Sequence, residues 1–211
     1  MRLIITGCEY AGKSTLAAAL HTWGPSRGFH FHLDDHFTVP DASLRREEEQ
    51  RAALAAPPAM KERFQRFQIY YHLRLLHVYD DILLVGFHIE EAVYGPRYYY
   101  PDRGLPQNYH RQVEHEAPRD TILVLLWARP AVLRARMAAA PHRYQVVPAD
   151  DVDAVQAAFE DEYRACWLKR KVRIDTSDLR DDQLLDVFLA AARGYLPERD
   201  LLLLRTGGGA A

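Results

Sequence analysis

Residues 7–14 constrain this chain more than any other part of it. They read G-C-E-Y-A-G-K-S and match the full phosphate-binding loop pattern G-x-x-x-x-G-K-[S/T]. An apolar run at residues 3–5 precedes the loop, and a helical pattern of Leu16, Ala17 and Leu20 follows it. Glycines permit a tight turn whose backbone N–H groups point at phosphate oxygens, and the next helix adds the positive end of its dipole. The pattern therefore predicts a strand, an anion-binding loop and a helix, which is the usual start of an α/β fold.

Two side chains of this loop have expected chemical roles. Lys13 is expected to reach the β- and γ-phosphates of a nucleoside triphosphate, and the Ser14 hydroxyl is expected to ligate Mg²⁺. ATP and Mg²⁺ are thus the predicted cofactors. The loop residues predicted to contact ATP are Gly7, Tyr10, Ala11, Gly12, Lys13, Ser14 and Thr15.

Size and charge narrow the partners. The 211 residues suit one domain, and 27 Lys and Arg residues nearly balance 29 Asp and Glu residues. Without an overall basic field, a small substrate is favoured over a long nucleic acid. The chain has only two cysteines, no charged-then-apolar leader and no apolar stretch long enough for a membrane span. We therefore expect a cytoplasmic protein with no membrane partner.

Apolar runs with strand character alternate with helical patterns, which predicts a parallel sheet with helices on both faces. The predicted strands are 3–6, 29–33, 82–87, 121–127 and 172–175. The predicted helices are 13–23, 42–55, 60–79, 130–139, 151–168 and 181–193. Apolar stripes at helical spacing are expected to face the core. In the third predicted helix the stripe consists of Phe64, Phe67, Tyr71, Leu75 and Val78.

Two adjacent acids, Asp34 and Asp35, follow the second predicted strand. Ligands of open parallel sheets lie beyond the carboxyl ends of the strands, so these carboxylates are expected to face the phosphate-binding loop. A carboxylate there could accept the proton of an attacking hydroxyl, or hold magnesium through water. Neighbouring strand residues point to opposite faces, so we assign the base role and a share in Mg²⁺ binding to Asp34, and a helper role to Asp35. Alternatively, both acids only solvate the strand end or cap a turn.

A second polar segment, G-F-H-I-E-E-A-V-Y-G, follows the third predicted strand. One of its two glutamates is expected to bind Mg²⁺ or the acceptor, and its histidine to bind a phosphate; alternatively, the acids mark the first turn of a helix. The tyrosine-rich residues 94–109 could stack on a planar acceptor, or could form a surface lid. The predicted acceptor-binding residues are Asp35, His88, Glu90, Glu91, Tyr94 and Arg97.

Arginines 129, 134, 136 and 143 cluster after the fourth predicted strand. Guanidinium groups suit the charge that develops on a transferring phosphoryl group, so a lid at residues 134–148 is expected to close over ATP. We assign catalytic roles to Arg136 and Arg143 and ATP binding to Arg134. Because Arg134 and Arg136 are two positions apart, they cannot share one helix face, and one of them is expected to be structural. Asp175 and Ser177, after the last strand, are expected either to approach the adenine or to cap a helix.

Together, these stretches resemble the phosphate-loop kinases of nucleosides and nucleotides. The segment L-D-D-H-F-T-V-P is similar to the Asp-Asp-Phe-Phe-type element of uridine and nicotinamide riboside kinases. The segments A-R-P-A-V-L-R-A-R-M, F-E-D-E-Y, R-I-D-T-S-D and E-E-A-V-Y-G are similar to thymidylate kinases and their relatives. The resemblance implies a P-loop NTPase three-layer fold with a parallel sheet in the order 2-3-1-4-5, the use of ATP with Mg²⁺, and a base role for Asp34.

The chain departs from both kinase groups at the third strand. Val85 stands before Gly86-Phe87, where the uridine-kinase-like group carries a glutamate. Gly86-Phe87-His88 stands where thymidylate kinases have Asp-Arg-Tyr. The resemblance therefore does not identify the acceptor.

We predict one kinase domain at residues 1–195, with acceptor-binding insertions near 36–60 and 90–110, and a C-terminal tail at 196–211. The predicted activity is transfer of the γ-phosphate of ATP to a small acceptor, with a nucleoside or nucleotide favoured. A sugar, an antibiotic or another metabolite remains an alternative acceptor, and a non-catalytic nucleotide-binding switch an alternative class. The sequence has neither an Asn-Lys-x-Asp guanine element nor a hydrophobic strand ending in Asp-Glu, which argues against a GTPase and a motor ATPase. Whether the chain forms a homodimer is left open.

Overall fold

The computed structural model describes residues 1–35, 38–40, 43–101 and 109–206. Within them the chain forms a five-stranded parallel sheet in the order β2-β3-β1-β4-β5, which confirms the predicted fold class and strand order. The strands are β1 (Arg2–Thr6), β2 (His32–Asp35), β3 (Ile82–Val85), β4 (Ile122–Trp127) and β5 (Arg170–Asp175). The inner strands β1, β3 and β4 are almost wholly buried, as continuous apolar runs in a parallel sheet should be.

Helices form a layer on each face of the sheet. They are α1 (Lys13–Trp23), α2 (Glu47–Ala55), α3 (Pro58–Val78), α4 (Phe87–Tyr94), α5 (Tyr109–Glu116), α6 (Pro130–Ala139), α7 (Val152–Ala165), α8 (Asp181–Ala192) and α9 (Glu198–Thr206). α1 packs against α8, whereas α4 packs against α3, α5 and α7. Each large aliphatic or aromatic side chain buried between layers contributes about 1.5–3 kcal/mol, so these contacts dominate the stability of the fold.

The register of the sheet brings three segments to one edge. Ile5 of β1 lies opposite Val85 of β3 and Val124 of β4, and Asp35 of β2 also lies opposite Val85. The loop after β1, the end of β2 and the start of α4 therefore meet at the carboxyl edge of the sheet, where ligands of parallel sheets bind.

The second strand is shifted from its predicted position. It begins at His32 rather than at residue 29, because its ladder with β3 starts where His32 lies opposite Ile82. Phe29 and Phe31 are buried ahead of the strand, and their ring centroids stack 5.6 Å apart. The apolar pattern was thus right about burial and wrong about the strand bounds. As a result, Asp34 and Asp35 are the last two residues of β2 rather than residues beyond it.

The predicted core stripe on α3 is wrong. Phe64 and Phe67 are 51% and 70% exposed, Tyr71 and Val78 are also exposed, and only Leu75 of that stripe is buried. The buried residues of α3 are instead Glu62, Gln65, Gln68, Ile69, His72, Leu73, Leu75 and Leu76. The periodicity identified an apolar stripe, but it could not show which side of the helix meets the protein.

Other boundaries also differ. α2 begins at Glu47 rather than at residue 42, and α7 ends at Ala165 rather than at residue 168. The patterns did not predict α5 or α9, and they left a helix at α4 only as an alternative. α9 packs onto the body, where the buried carboxylate of Asp200 lies 3.2 Å from the Met1 ammonium nitrogen. Among the described helices, none combines the length and apolarity that crossing a membrane requires.

Candidate nucleotide-binding site

The loop between β1 and α1 has the backbone conformation that an anion cradle requires. Gly7 and Gly12 have φ angles of +143° and +102°, and Tyr10 also has a positive φ of 65°. A Cβ atom on Gly7 would lie 2.2 Å from the carbonyl oxygen of Leu126, so no larger residue fits there. The Ala11 N–H donates to the Cys8 carbonyl at 3.1 Å, which closes the turn immediately before α1 begins at Lys13. This is the strand–loop–helix arrangement that the motif predicts.

Lys13 points its ammonium group back over this loop. Its Nζ donates to the Gly7 carbonyl oxygen at 2.6 Å and lies 3.2 Å from Oε2 of Glu90 on α4. Burial by itself lowers the pKa of Lys13, but the attraction of Glu90 and of other nearby acids outweighs it and raises the pKa. The lysine is therefore held in its charged form above the turn.

A cavity of about 580 Å³ opens beside the loop, within the range of small-ligand sites. The residues that line it are Cys8 to Thr15 of the loop and α1, Asp35 and Thr38, Val85 and Glu90, Arg136, Ala139, Ala140, His142 and Tyr144, and Thr176, Leu179, Arg180, Asp181 and Leu184. The predicted ATP contacts from Tyr10 to Thr15 thus share one cavity. Gly7 does not line it but shapes the turn.

The two acids at the end of β2 point in different directions, and the structure reverses the expected order. Asp35 lines the cavity, whereas Asp34 does not. The Asp34 carboxylate lies 3.8 Å from Nε2 of His72 and 3.9 Å from Nε2 of His32. Burial alone raises the pKa of Asp34, but the nearby His72, with smaller effects from the Asp35 N–H and from His32, lowers it overall. A carboxylate with a lowered pKa is a weaker base, and Asp34 is also the acid that does not line the cavity.

Of the acceptor-binding residues predicted after β3, only Glu90 lines the cavity. His88 is buried away from it, with Nε2 3.1 Å from Oε1 of Glu114, and burial lowers the pKa of this histidine. Glu91 is buried on α4. The Tyr94 hydroxyl accepts the Glu9 N–H at 3.0 Å and so supports the phosphate loop from below. Arg97 donates to the Val93 carbonyl at 3.0 Å, and residues 102–108 of the tyrosine-rich stretch lie outside the described residues.

The three arginines assigned to the lid separate clearly. Arg136 lines the cavity, and its guanidinium donates to the Tyr10 carbonyl at 2.9 Å and to the Thr176 carbonyl at 2.7 Å. Arg134 points outward, donating to the Ala149 carbonyl at 3.0 Å and pairing with Asp153. Arg143 is exposed and lies 2.9 Å from the Glu47 carboxylate on α2, outside the cavity lining. This arrangement agrees with the expectation that only one of Arg134 and Arg136 faces the site. Neither Arg134 nor Arg143 lines the cavity, so the arrangement gives no support to a direct role for them.

The turn after β5 contributes residues other than the predicted ones. Asp175 accepts the Ser177 N–H at 2.9 Å, and the Ser177 hydroxyl oxygen accepts the Arg129 N–H at 2.8 Å. These two side chains therefore organise the turn and do not line the cavity. Thr176, between them, lines it and donates to the Ala11 carbonyl at 2.9 Å, which ties the turn to the phosphate loop.

Glu9, Thr176, Arg180, Asp181, His142 and Tyr144 line the cavity but were not assigned from the sequence. Only Glu9 could have been identified from the sequence, because an acidic residue is unexpected inside an anion-binding loop. The others come from turns or, for Asp181, from the first residue of α8, where side-chain direction depends on tertiary packing.

The residues of the cavity fit a magnesium ion. Mg²⁺ prefers oxygen ligands and usually keeps several waters. The cavity offers hydroxyl groups from Ser14 and Thr15 and carboxylates from Asp35 and Glu90. Of the two residues predicted to bind Mg²⁺, Ser14 lines the cavity and Asp34 does not.

Neither a protein-family model nor a curated protein sequence matches the chain. In structure, the chain is similar to YorR from Bacillus subtilis, solved with phosphorylated GDP, with a TM-score of 0.61, 16% identity, and coverage of 94% of this chain and 100% of that one. It is also similar to deoxyadenosine kinase from M. mycoides with bound dATP, with a TM-score of 0.58, 13% identity, and coverage of 90% and 98%. A sugar kinase from a Janibacter species gives a TM-score of 0.50 at 15% identity, with coverage of 93% and 98%. At these identities, the comparisons show a shared fold over nearly the whole chain.

Proposed function

We propose that this chain, which has the fold of the P-loop kinases, is an ATP-dependent kinase that phosphorylates a nucleoside or a nucleotide. The observation that carries the proposal is that one cavity holds both halves of a phosphoryl-transfer site. Lys13 and the phosphate loop line it together with the carboxylates of Asp35 and Glu90, and the Lys13 ammonium lies 3.2 Å from the Glu90 carboxylate. Cation, anion cradle and carboxylates are the parts that this reaction needs.

The donor half would bind the triphosphate through the loop. Phosphate oxygens would compete with the Gly7 carbonyl for the Lys13 ammonium, which now donates to that carbonyl at 2.6 Å. Ser14, with water-mediated help from Asp35 or Glu90, would hold Mg²⁺, which neutralises phosphate charge when bound. Arg136 would keep the cavity wall in shape through its bonds to the Tyr10 and Thr176 carbonyls.

The acceptor half would use Asp35 as the general base. Asp35 takes the proton of the acceptor hydroxyl while the oxygen bonds to the γ-phosphorus and the bond to the β-phosphate oxygen breaks, which releases ADP. A phosphate acceptor is already ionised and would not need this step. Lys13 would stabilise the negative charge on the transferring group.

Support for a nucleotide ligand also comes from the related structures. The YorR structure is described as a complex with phosphorylated GDP, and the deoxyadenosine kinase structure contains dATP. The two proteins share the fold of this chain over 94% and 90% of its length. We transfer only the ligand class to this chain, since the identities of 16% and 13% do not extend to the acceptor.

The test is transfer of labelled γ-phosphate from ATP, with Mg²⁺, to a panel of nucleosides, nucleoside monophosphates and sugars. We expect label on a nucleoside or a nucleotide, and transfer at least about a hundredfold slower with Lys13→Ala. Label on a sugar alone would support kinase activity but would contradict a nucleoside or nucleotide acceptor. Tight ATP binding with no transfer to any acceptor would contradict the proposal and support a nucleotide-binding switch.

A further inference from the structure

Two residues of the phosphate loop, Glu9 and Tyr10, hold a segment of chain that follows α6. This segment, residues 140–147, is called the lid segment below. It matters to the site because three of its residues, Ala140, His142 and Tyr144, line the cavity beside the loop. The position of the lid segment therefore sets part of the cavity wall.

Glu9 holds the far end of the lid segment. Its Oε2 accepts the backbone N–H groups of Val146 at 2.9 Å and of Val147 at 2.7 Å. Its Oε1 lies 3.8 Å from Nδ1 of His142. Glu9 is only 9% exposed, so these N–H groups replace the water that its carboxylate would otherwise need.

Tyr10 holds the near end. Its hydroxyl accepts the His142 N–H at 2.8 Å and donates to Oε1 of Gln145 at 3.0 Å. Its ring stacks on the His142 ring, with centroids 4.2 Å apart and planes 18° apart. Two adjacent residues of the phosphate loop thus bind the lid segment at both of its ends.

The backbone of the same two residues belongs to the anion cradle. The Glu9 N–H donates to the buried Tyr94 hydroxyl at 3.0 Å, and the Tyr10 carbonyl accepts from Arg136 at 2.9 Å. A movement of the lid segment away from the loop would break the side-chain contacts of both residues, whereas the bonds of their backbone to Tyr94 and Arg136 would remain. Glu9 and Tyr10 therefore connect the lid segment to a loop that is held in place independently of it.

The coupling also explains an acid in an anion-binding loop. A free carboxylate beside bound phosphates would repel them and oppose the field of the loop. Here the Glu9 carboxylate accepts two N–H groups of the lid segment, which offset part of its negative charge. The contacts to the lid segment thus give this acid a structural role beside the loop.

We propose that Glu9 and Tyr10 are positioning residues that hold the lid segment against the phosphate loop and so form the closed wall of the ATP cavity. The inference rests on the proposed function for the identity of the ligand, but not for the contacts themselves. When the contacts are lost, the lid segment opens, and ATP loses the wall formed by His142 and Tyr144. The consequence is weaker ATP binding with the phosphoryl-transfer groups still in place.

The experiment compares Glu9→Ala, Glu9→Gln and Tyr10→Phe with the parent chain by amide hydrogen exchange, without nucleotide. In Glu9→Ala we expect the peptide that contains Val146 and Val147 to exchange at least about tenfold faster. Glu9→Gln keeps an acceptor oxygen and should restore most of the protection. Tyr10→Phe keeps the ring stack but loses the acceptor for the His142 N–H, so only that amide should exchange faster. Glu198→Ala, an exposed acid on α9, is the matched control.

The second readout is ATP affinity by calorimetry, followed by steady-state kinetics. We expect Glu9→Ala to raise the Kd and KM for ATP about tenfold, with a much smaller change in kcat and in the acceptor KM. Unchanged exchange at Val146 and Val147 in Glu9→Ala would overturn the proposal, and so would unchanged ATP affinity. Failure of phosphoryl transfer in the parent chain would instead sink the proposed function, because exchange and ATP binding need no turnover.

Discussion

The ammonium nitrogen of Lys13 lies 3.2 Å from Oε2 of Glu90, and both side chains are largely buried. This pair joins the strongest motif of the sequence to a residue whose role the sequence left open. α4 starts directly after β3, so Glu90 brings a carboxylate to the loop from the neighbouring strand connection. Lys13 of the phosphate loop thus has an ion-pair partner, Glu90, that lines the same cavity.

Lys13→Ala is expected to lower kcat about 10²- to 10³-fold, because the charge that stabilises the transferring group is lost. It should also destabilise the protein by about 3 kcal/mol, because the buried Glu90 carboxylate loses its partner. Kinetics with a confirmed acceptor and urea unfolding measure the two effects separately.

The double variant Lys13→Ala with Glu90→Gln serves as the control for this prediction. A neutral amide needs no cation, so stability should largely return while activity stays lost. Full turnover by Lys13→Ala would contradict the assigned role of the loop, whatever its stability.

Asp35→Asn is expected to reduce kcat about 10²- to 10⁴-fold if the acceptor is a hydroxyl, because the general base is removed. Asp34→Asn is the matched change on the preceding residue, and it should cost less activity since Asp34 faces His72 and His32. The kcat ratio of the two variants is the measurement. A larger loss for Asp34→Asn would return the base role to Asp34.

Gly7→Ala should destabilise the fold by more than about 2 kcal/mol, because the backbone is in a region that alanine avoids and its Cβ would meet the Leu126 carbonyl at 2.2 Å. Gly194→Ala is the matched control, since a Cβ there meets nothing within 4 Å. Its effect should stay within about 0.5 kcal/mol. Equal urea midpoints for the two variants would show that the backbone around Gly7 does not exclude a Cβ atom.

The phosphate loop and the use of the sheet's carboxyl edge could be predicted from local patterns and from the general behaviour of parallel sheets. The order of the strands, in contrast, was implied by the resemblance to phosphate-loop kinases. A glycine–lysine motif specifies its own backbone, as the φ angles of Gly7 and Gly12 confirm. The continuous apolar runs of β3 and β4 likewise predict that these strands are buried, as they are in the structure.

Side-chain direction could not be predicted to the same extent. Which of Asp34 and Asp35 faces the cavity depends on where the ladder of β2 begins, and that depends on β3 rather than on β2 alone. Phe64 and Phe67 form a good apolar stripe, yet α3 turns its other side inward. The partner of Glu9 lies more than a hundred residues away along the chain, in a segment with no motif of its own.

Asp81 is expected to make stability fall in acid. Burial opposes ionisation of this carboxyl, but hydrogen bonds from Arg199 and the Met1 ammonium hold its pKa well below its ordinary value. The stabilisation is therefore complete above about pH 4, the unfolded range, and is lost as the pH falls through the lower folded pKa. Asp81→Asn should lower the free energy of unfolding at pH 7 by roughly 2 kcal/mol.

The measurement for this prediction is the urea midpoint of the parent chain and of Asp81→Asn between pH 7 and pH 2. The gap between the two midpoints should narrow as the pH falls. Asp186→Asn, at an exposed position on α8, should leave the parent curve unchanged. A difference between the two midpoints that does not depend on pH would mean that Asp81 stabilises the fold through its packing and not through its charge.

Arg136 and Arg134 offer the last comparison, since both lie on α6 and only Arg136 lines the cavity. Arg136 donates to the Tyr10 and Thr176 carbonyls at 2.9 and 2.7 Å, so Arg136→Ala removes one of the connections between the phosphate loop and the turn after β5 and leaves the Thr176 hydroxyl bond to Ala11. We expect the Kd for ATP to rise about tenfold, equivalent to about 1.4 kcal/mol. Arg134→Ala loses only outward contacts to Ala149 and Asp153 and should leave the Kd within about twofold. Equal effects in calorimetry would show that this part of the wall does not depend on Arg136, whereas the expected difference would identify it as the lid arginine that shapes the ATP cavity.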